Sequence, residues 1–213
     1  MSDTAIIYGA GGHARELRFQ LMAAGVEVVA FVDDFRYGHL VEDLLVLTRE
    51  HAIELYPSAK WHLGFGQIAG RRRVLQSLRD AGCSMGSFIS PSALVAPTAK
   101  IFEPAQIFAN TVISTGASVG ANVIINFGAV ISHDVVIGEN SYVSPGANIA
   151  GNVTIGRGVW VGVGATIKNG SSGIALTIGD NVVIGAGACV VNNVEGNAVV
   201  IGVPAKARNN SNV

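Results

Sequence analysis

Every sixth residue from Val95 to Ile167 is isoleucine or valine, thirteen positions without a miss. If one residue in three were Ile or Val, chance would give such a run on the order of once in a million starts. The next step lands on Gly173, and the series resumes at Ile178, Ile184 and Val190. Ile167 and Ile178 are eleven apart instead of six, so five residues are inserted, and Asn169-Gly170-Ser171-Ser172-Gly173 has the composition of a loop. A second column, four residues after each aliphatic position, holds small or β-branched side chains, Ala99, Ala117, Ala129, Ala147 and Ala165 among them. A third, one residue after, holds Gly120, Gly138, Gly156, Gly162, Gly179 and Gly185.

A period of six fits neither an amphipathic helix nor a half-buried strand. It fits a parallel β-helix of hexapeptides, three to a triangular coil, so that positions 18 apart stack. The aliphatic residue fills the interior and the small one lets the chain turn. The glycine column is expected at the corners, where positive φ is tolerated. With strands ~4.8 Å apart, residues 95 to 195 make roughly five coils in a prism roughly 25 Å tall.

Residues 1–88 read differently, and the chain is expected to divide into domains at 1–88 and 89–213. Ala5-Ile6-Ile7-Tyr8 is a short apolar strand that runs into Gly9-Ala10-Gly11-Gly12-His13-Ala14, followed by a helical stretch to about Ala24. Val26 to Val32 is a second strand, ending in Asp33-Asp34. A short helix near 48–56, a strand near 60–65 and a helix over 68–81 complete an α/β half-Rossmann (βαβ) domain. Gly9-x-Gly11-x-x-Ala14 after a strand, with an acid about twenty residues later, is a variant of the dinucleotide fingerprint. An NAD-dependent oxidoreductase is therefore a rival reading. Eighty-eight residues supply only one mononucleotide-binding half, which suits a single nucleotide better. Glycines that merely make a tight turn are the plainer alternative.

Composition narrows the partners. Hydrophobic residues make up 49% and charged residues 14%, and one explanation is a core running the length of a repeat. No apolar run approaches the ~20 residues of a membrane span. Met1-Ser2-Asp3-Thr4 lacks the start of a signal peptide, so a cytoplasmic location is expected. A net charge of −1 argues against nucleic acid as partner. Arg71-Arg72-Arg73 is expected on a solvated helix face. The two cysteines, Cys83 and Cys189, form no CxxC. Four of the five histidines precede residue 89, leaving only His133 in the repeat. A β-helical carbonic anhydrase needs three histidines on its zinc, so no metal is expected.

Several segments carry a family resemblance. They are Ile7-Tyr8-Gly9-Ala10-Gly11-Gly12-His13, Phe31-Val32-Asp33-Asp34, Gly66 with Arg71 five residues later, Pro91-Ser92-Ala93, Asn126, Ile131-Ser132-His133-Asp134, Ala150-Gly151-Asn152-Val153 and Gly202-Val203-Pro204-Ala205-Lys206. In this order they resemble the hexapeptide acyltransferases that modify sugars for lipopolysaccharide and other bacterial glycans: the bacillosamine-pathway and perosamine N-acetyltransferases and the sialic acid O-acetyltransferases. The resemblance spans nearly the whole chain. It implies a left-handed parallel β-helix, a homotrimer with acetyl-CoA in the groove between two prisms, and a first domain that holds the nucleotide end of the sugar. Three departures stand out: Ser90 where the family has His, Tyr142 where the bacillosamine enzyme has a second His, and Asp134 where it has Glu.

The resemblance makes His133 the general base. By position alone it is an outward residue near a corner, two past Ile131. Imidazole titrates near operating pH and suits removal of a proton from an attacking amine or hydroxyl. Asp134 is the candidate to orient it, provided a corner bends the chain there, since neighbours on a strand point opposite ways. Gly151 lies 18 residues after His133, so its amide should stack at the same corner and meet the thioester oxygen. Ala165 and Lys206 complete the expected acetyl-CoA contacts, and Asn126 is expected to help position the acceptor. Gly9, Gly11, Gly12, His13, Asp33 and Asp34 are the expected contacts of the nucleotide-linked amino sugar. Neither cysteine has a nearby histidine in sequence, so direct transfer is expected. Two alternatives stay open, a sugar O-acetyltransferase and a non-catalytic nucleotide-binding scaffold.

Overall fold

The structure, a computed structural model, describes residues 4–207. Two compact units meet in sequence between Phe88 and Ile89.

The first unit is an α/β sandwich: β1 (Thr4–Tyr8), α1 (Gly12–Ala23), β2 (Glu27–Val32), β3 (Leu40–Val41), β4 (Leu44–Leu47), α2 (Arg49–Leu55), β5 (Lys60–Leu63) and α3 (Ile68–Asp80). The sheet order is β3-β4-β2-β1-β5, all parallel except β3 on β4. Ile6, Ile7, Phe31 and Val32 are fully buried, as a parallel sheet covered on both faces demands. From β1 the chain crosses to β2 on one side and later to β5 on the other. The crevice beyond the carboxyl end of β1 is therefore a topological switch point.

Two features depart from the sequence reading. The β3–β4 hairpin was not expected, because its turn, Glu42-Asp43, lacks glycine, proline and asparagine. Glu42 takes a left-handed φ of 55°, and both acids of the turn pair with the buried Arg18 guanidinium of α1 at 2.5 Å. Arg71 is also not on a solvated face: it is 0% exposed, packed inside with Leu75 and Leu78 of α3. Only its two neighbours match the solvated-face expectation, since i and i+1 on a helix point in different directions.

His62 on β5 is buried, its Nδ1 has no hydrogen-bond partner, and its ring lies against Gly86, where a Cβ would overlap Nε2. Burial lowers its pKa from 6.5 to about 4, so the fold holds it neutral while the unfolded chain protonates it below 6.5. Stability is thus full above pH 6.5 and falls as pH drops toward 4. The loss approaches roughly 3 kcal/mol at 1.36 kcal/mol per pKa unit. Urea titrations of wild type and His62→Gln between pH 7 and 4 should converge as pH falls; parallel curves would refute this.

The second unit is a left-handed parallel β-helix. Its two- and three-residue strands form three stacked sheets of six, five and eight strands, the last beginning with Phe88–Ile89. Register is direct: Val112 pairs with Val130, Val130 with Asn148, and Asn148 with Thr166, each 18 residues on. Across the insert the step becomes 23, as Thr166 pairs with Cys189 and Trp160 with Val183. Ile113, Ile131, Ile149 and Ile167 line the interior with the small column, all at most 1% exposed. Each such aliphatic contributes about 1.5–3 kcal/mol by leaving water. Where the small column is polar it is satisfied: Ser141 Oγ donates to Gly156 O and accepts from Val159 N–H, both at 3.1 Å.

The corners are built otherwise than expected. Three past each aliphatic residue from Ile107 to Val161 the backbone is left-handed, at Asn110, Gly116, Asn122, Gly128, Asp134, Asn140, Gly146, Asn152, Gly158 and Gly164. These are the residue types that tolerate that conformation. The glycine column one past the aliphatic has no positive φ. A Cβ there would strike the coil above, 2.7 Å from Glu139 N at Gly120 and 2.6 Å from Ala186 N at Gly162. Those glycines permit close stacking and do not make the bend.

Candidate active site

In the first unit, a cavity of about 600 Å³ opens at the switch point. Gly9, Gly11, Gly12, His13, Asp33 and Asp34 all line it. The glycines divide by cause. Gly9 has φ +111° and its Cβ would sit 3.0 Å from Gly64 O, so the fold itself requires it. Gly11 and Gly12 have neither a positive φ nor any atom within 4 Å of an added Cβ. Packing does not ask for glycine there, whereas a ligand approaching the backbone does. No side chain caps α1, so its amino end is open to an anion.

The two aspartates have distinct tasks. Asp33 is a brace, accepting from Ala10 N–H and Phe35 N–H at 3.0 Å each, and so ties the glycine turn to the end of β2. Asp34 accepts from the Tyr8 hydroxyl at 2.7 Å. Burial, then the Asp34 carboxylate, push the Tyr8 phenol above its ordinary pKa and keep it a donor. His13 lies in the first turn of α1 with Nδ1 3.6 Å from Glu16. Three contributors escaped the sequence reading. Arg36 donates to Ala10 O at 3.0 Å, and Gly64 and Phe65 form the opposite wall. Gly64 abuts Ile7 and Ala14, where a Cβ would come within 2.7 Å of both. Its signal was a second glycine-rich turn, Gly64-Phe65-Gly66, at the end of a strand next to β1.

In the second unit, the corner at residue 133 brings the His133 and Asp134 side chains together. Asp134 has φ 57°, and this left-handed bend turns two consecutive side chains to the same side. Asp134 Oδ2 lies 2.9 Å from His133 Nδ1, and Nε2 is the ring nitrogen next to Gly151. His133 is 60% exposed. Two glycines make the room. Above, a Cβ on Gly151 would overlap His133 Nε2 and Cε1; below, one on Gly116 would overlap Asp134 Oδ1. Asn152 N–H donates to His133 O at 3.0 Å, so the stacking of positions 133 and 151 is fixed by the ladder. Among the described residues, no protein group accepts the Gly151 N–H.

Other candidates lie elsewhere. Asn126 is 2% exposed; its Nδ2 donates to the Tyr142 hydroxyl at 2.8 Å and its Oδ1 accepts from Phe127 N–H. Its reach is therefore through Tyr142, whose ring stacks on Trp160 one coil later at 4.3 Å. Ser90 is buried, its Oγ 3.2 Å from that of Ser92. Ala165 points its methyl into the interior, and its N–H already donates to Gly162 O at 3.1 Å, so it presents no donor to a cofactor. Lys206 is exposed in the last described strand, Lys206–Ala207, opposite Ile201. Among the described residues no helix is long and apolar enough to cross a membrane.

The chain is similar to several known proteins. Residues 4–78 match the family described as the PglD N-terminal domain. PerB of Caulobacter crescentus, solved in complex with CoA and GDP-perosamine, is 31% identical over 97% of both chains with a TM-score of 0.88. A substituted form of the same perosamine N-acetyltransferase, with the same ligands, gives 30%, 97% of both chains and 0.89. The acetyltransferase domain of PglB from Neisseria gonorrhoeae, in complex with acetyl coenzyme A, is 28% identical, over 98% of this chain and all of that one, at 0.88.

Proposed function

Because this chain belongs to the hexapeptide-repeat sugar acetyltransferases and is an acetyl-CoA-dependent enzyme of that family, we propose that it N-acetylates a nucleotide-linked 4-amino sugar for glycan biosynthesis. The carrying observation is the corner itself: Nδ1 of His133 held by Asp134 at 2.9 Å, with Gly151 directly over Nε2.

The reaction follows from those atoms. The neutral amine of the sugar attacks the thioester carbonyl carbon, and its proton passes to His133 Nε2. Asp134 keeps the imidazole in the tautomer with hydrogen on Nδ1 and stabilises the imidazolium. The carbonyl oxygen becomes negative and is met by the Gly151 N–H. The C–S bond then breaks, and the CoA thiolate leaves, taking up the proton. The first unit holds the nucleotide, with the diphosphate at the amino end of α1 and Gly11–Gly12, and Asp34 toward the nucleoside. Lys206 is the proposed partner of a CoA phosphate. The assembly is taken to be a homotrimer with the donor in the groove between prisms, working in the cytoplasm where both substrates are made.

The test is an assay with GDP- and UDP-linked 4-amino sugars beside the matching 4-hydroxy sugars. An amide product from an amino sugar, with the free sugar a poor acceptor, is the expected result. Acetyl ester formed on the hydroxyl sugar alone would reassign the enzyme as an O-acetyltransferase.

A further inference from the structure

The coil beneath His133 carries a pair of exposed hydroxyl groups, on Thr98 and Thr115. Thr115 precedes His133 by 18 residues. Its carbonyl accepts the Asp134 N–H at 3.0 Å, the same bond by which His133 holds Asn152 one coil higher. Positions 115, 133 and 151 thus stand in one vertical row, with coils about 4.8 Å apart. Equivalent positions of a parallel ladder point their side chains the same way, so Thr115 projects from the corner on the side of the His133 ring.

The pair is wired so that one proton is left over. Thr115 Oγ1 lies 2.7 Å from Thr98 Oγ1, and Thr98 Oγ1 also accepts the Gly116 N–H at 3.2 Å. Among the described residues neither hydroxyl has another protein partner. Two hydroxyls own two protons, and the bond between them uses one. The second is free to be donated outward. Whichever threonine donates to the other, Thr115 keeps an open lone pair. The pair therefore offers one donor and one acceptor together. A carboxylate could use only the donor and an ammonium only the acceptor. A neutral hydroxyl, which accepts and donates at once, uses both.

The reaction brings such a group here. With the thioester oxygen at Gly151, the donor takes the upper side of the His133 ring and leaves the lower side to the acceptor sugar. When the sugar amine sits at Nε2, a hydroxyl on the adjacent carbon lies about 3 Å from that nitrogen, one hydrogen-bond length. A step of that size toward Thr115 covers most of the spacing between coils. Resting on the acetyl-transfer reading, we infer that Thr115, braced by Thr98, binds the hydroxyl vicinal to the reacting amine. Thr115 is thereby a specificity-determining residue: it selects vicinal amino alcohols among amino sugars, and it fixes the rotation of the acceptor so that the amine lone pair faces the thioester carbon.

Two variants and two acceptors test this. Thr115→Val keeps the branched shape and removes only the hydroxyl; Thr115→Ser keeps the hydroxyl. The acceptors are a nucleotide-linked 4-amino sugar with a free 3-hydroxyl and its 3-deoxy counterpart. On the 3-hydroxy acceptor, Thr115→Val should lower kcat/KM about tenfold, equivalent to about 1.4 kcal/mol, while Thr115→Ser stays within about threefold of wild type. On the 3-deoxy acceptor, wild type should itself be about tenfold poorer and Thr115→Val no worse than wild type, because the bond it removes is already missing. The KM for acetyl-CoA and the melting temperature should not move. Undiminished kcat/KM in Thr115→Val, equal losses on both acceptors, or a raised acetyl-CoA KM would each overturn the assignment. Wild-type protein that acetylates neither amino sugar would instead overturn the acetyl-transfer reading beneath it.

Discussion

Replacing His133 with alanine will lower kcat by about a thousandfold and leave the melting temperature nearly unchanged, within the 10²–10⁴ range of general-base catalysis. The side chain is exposed and supports no packing, so loss of rate with an intact fold is the signature of a chemical role. The fall belongs in kcat more than in KM, because proton removal matters only as the new bond forms. Asp134→Asn is the companion. Asparagine already occupies the equivalent bend at Asn110, Asn140 and Asn152, so the backbone is kept while the charge is lost. A smaller drop is expected, about tenfold to a hundredfold, from loss of the preferred tautomer and of imidazolium stabilisation. A His133→Ala enzyme within tenfold of wild type in kcat would remove this residue from the mechanism.

Gly151→Ala is expected to be nearly as damaging, by about a hundredfold or more in kcat/KM. The methyl would occupy the space of His133 Nε2 and lie 2.8 Å from Cδ2, so the ring must swing away from Asp134. It also crowds the N–H proposed to meet the thioester oxygen, and one oxyanion donor is worth 10²–10³ in rate. Stability should hardly change. Gly151 has no positive φ, and the group displaced is the end of an exposed surface side chain. A variant that melts with wild type yet loses activity separates this from a folding defect; full activity would refute the stacking of positions 133 and 151.

The architecture was legible because one residue type recurs at one interval. The interior ladder, the triangular coil and the vertical relation of residues 133 and 151 all follow from Ile and Val every six positions. The corners were legible too but were read from the wrong column. From Ile107 to Val161 the sequence carries Asn, Asp or Gly three past each aliphatic residue, and that column makes the bends. Recognising Asp134 as a member would have answered the question of whether it can reach His133. The nucleotide cavity was half legible: the first glycine turn announced itself, while its opposite wall depended on β5 lying beside β1. Arg71 and Asn126 could not be placed from composition. Each is polar and buried, and burial of a polar side chain is decided by tertiary packing that no local pattern encodes.

The left-handed corner ladder also governs how such an enzyme can change over time. At every bend the backbone admits little besides asparagine, aspartate and glycine, and among these only aspartate is an anion. The scaffold had therefore already narrowed the choice at each vertex to a short alphabet before any reaction was selected. A histidine appearing beside Asn110, Asn122, Asn140 or Asn152 would need a single substitution next door, Asn to Asp, to gain an orienting carboxylate. Chemistry on this prism is in that sense portable: the vertex that works is distinguished by the glycines above and below it, and not by a fold of its own.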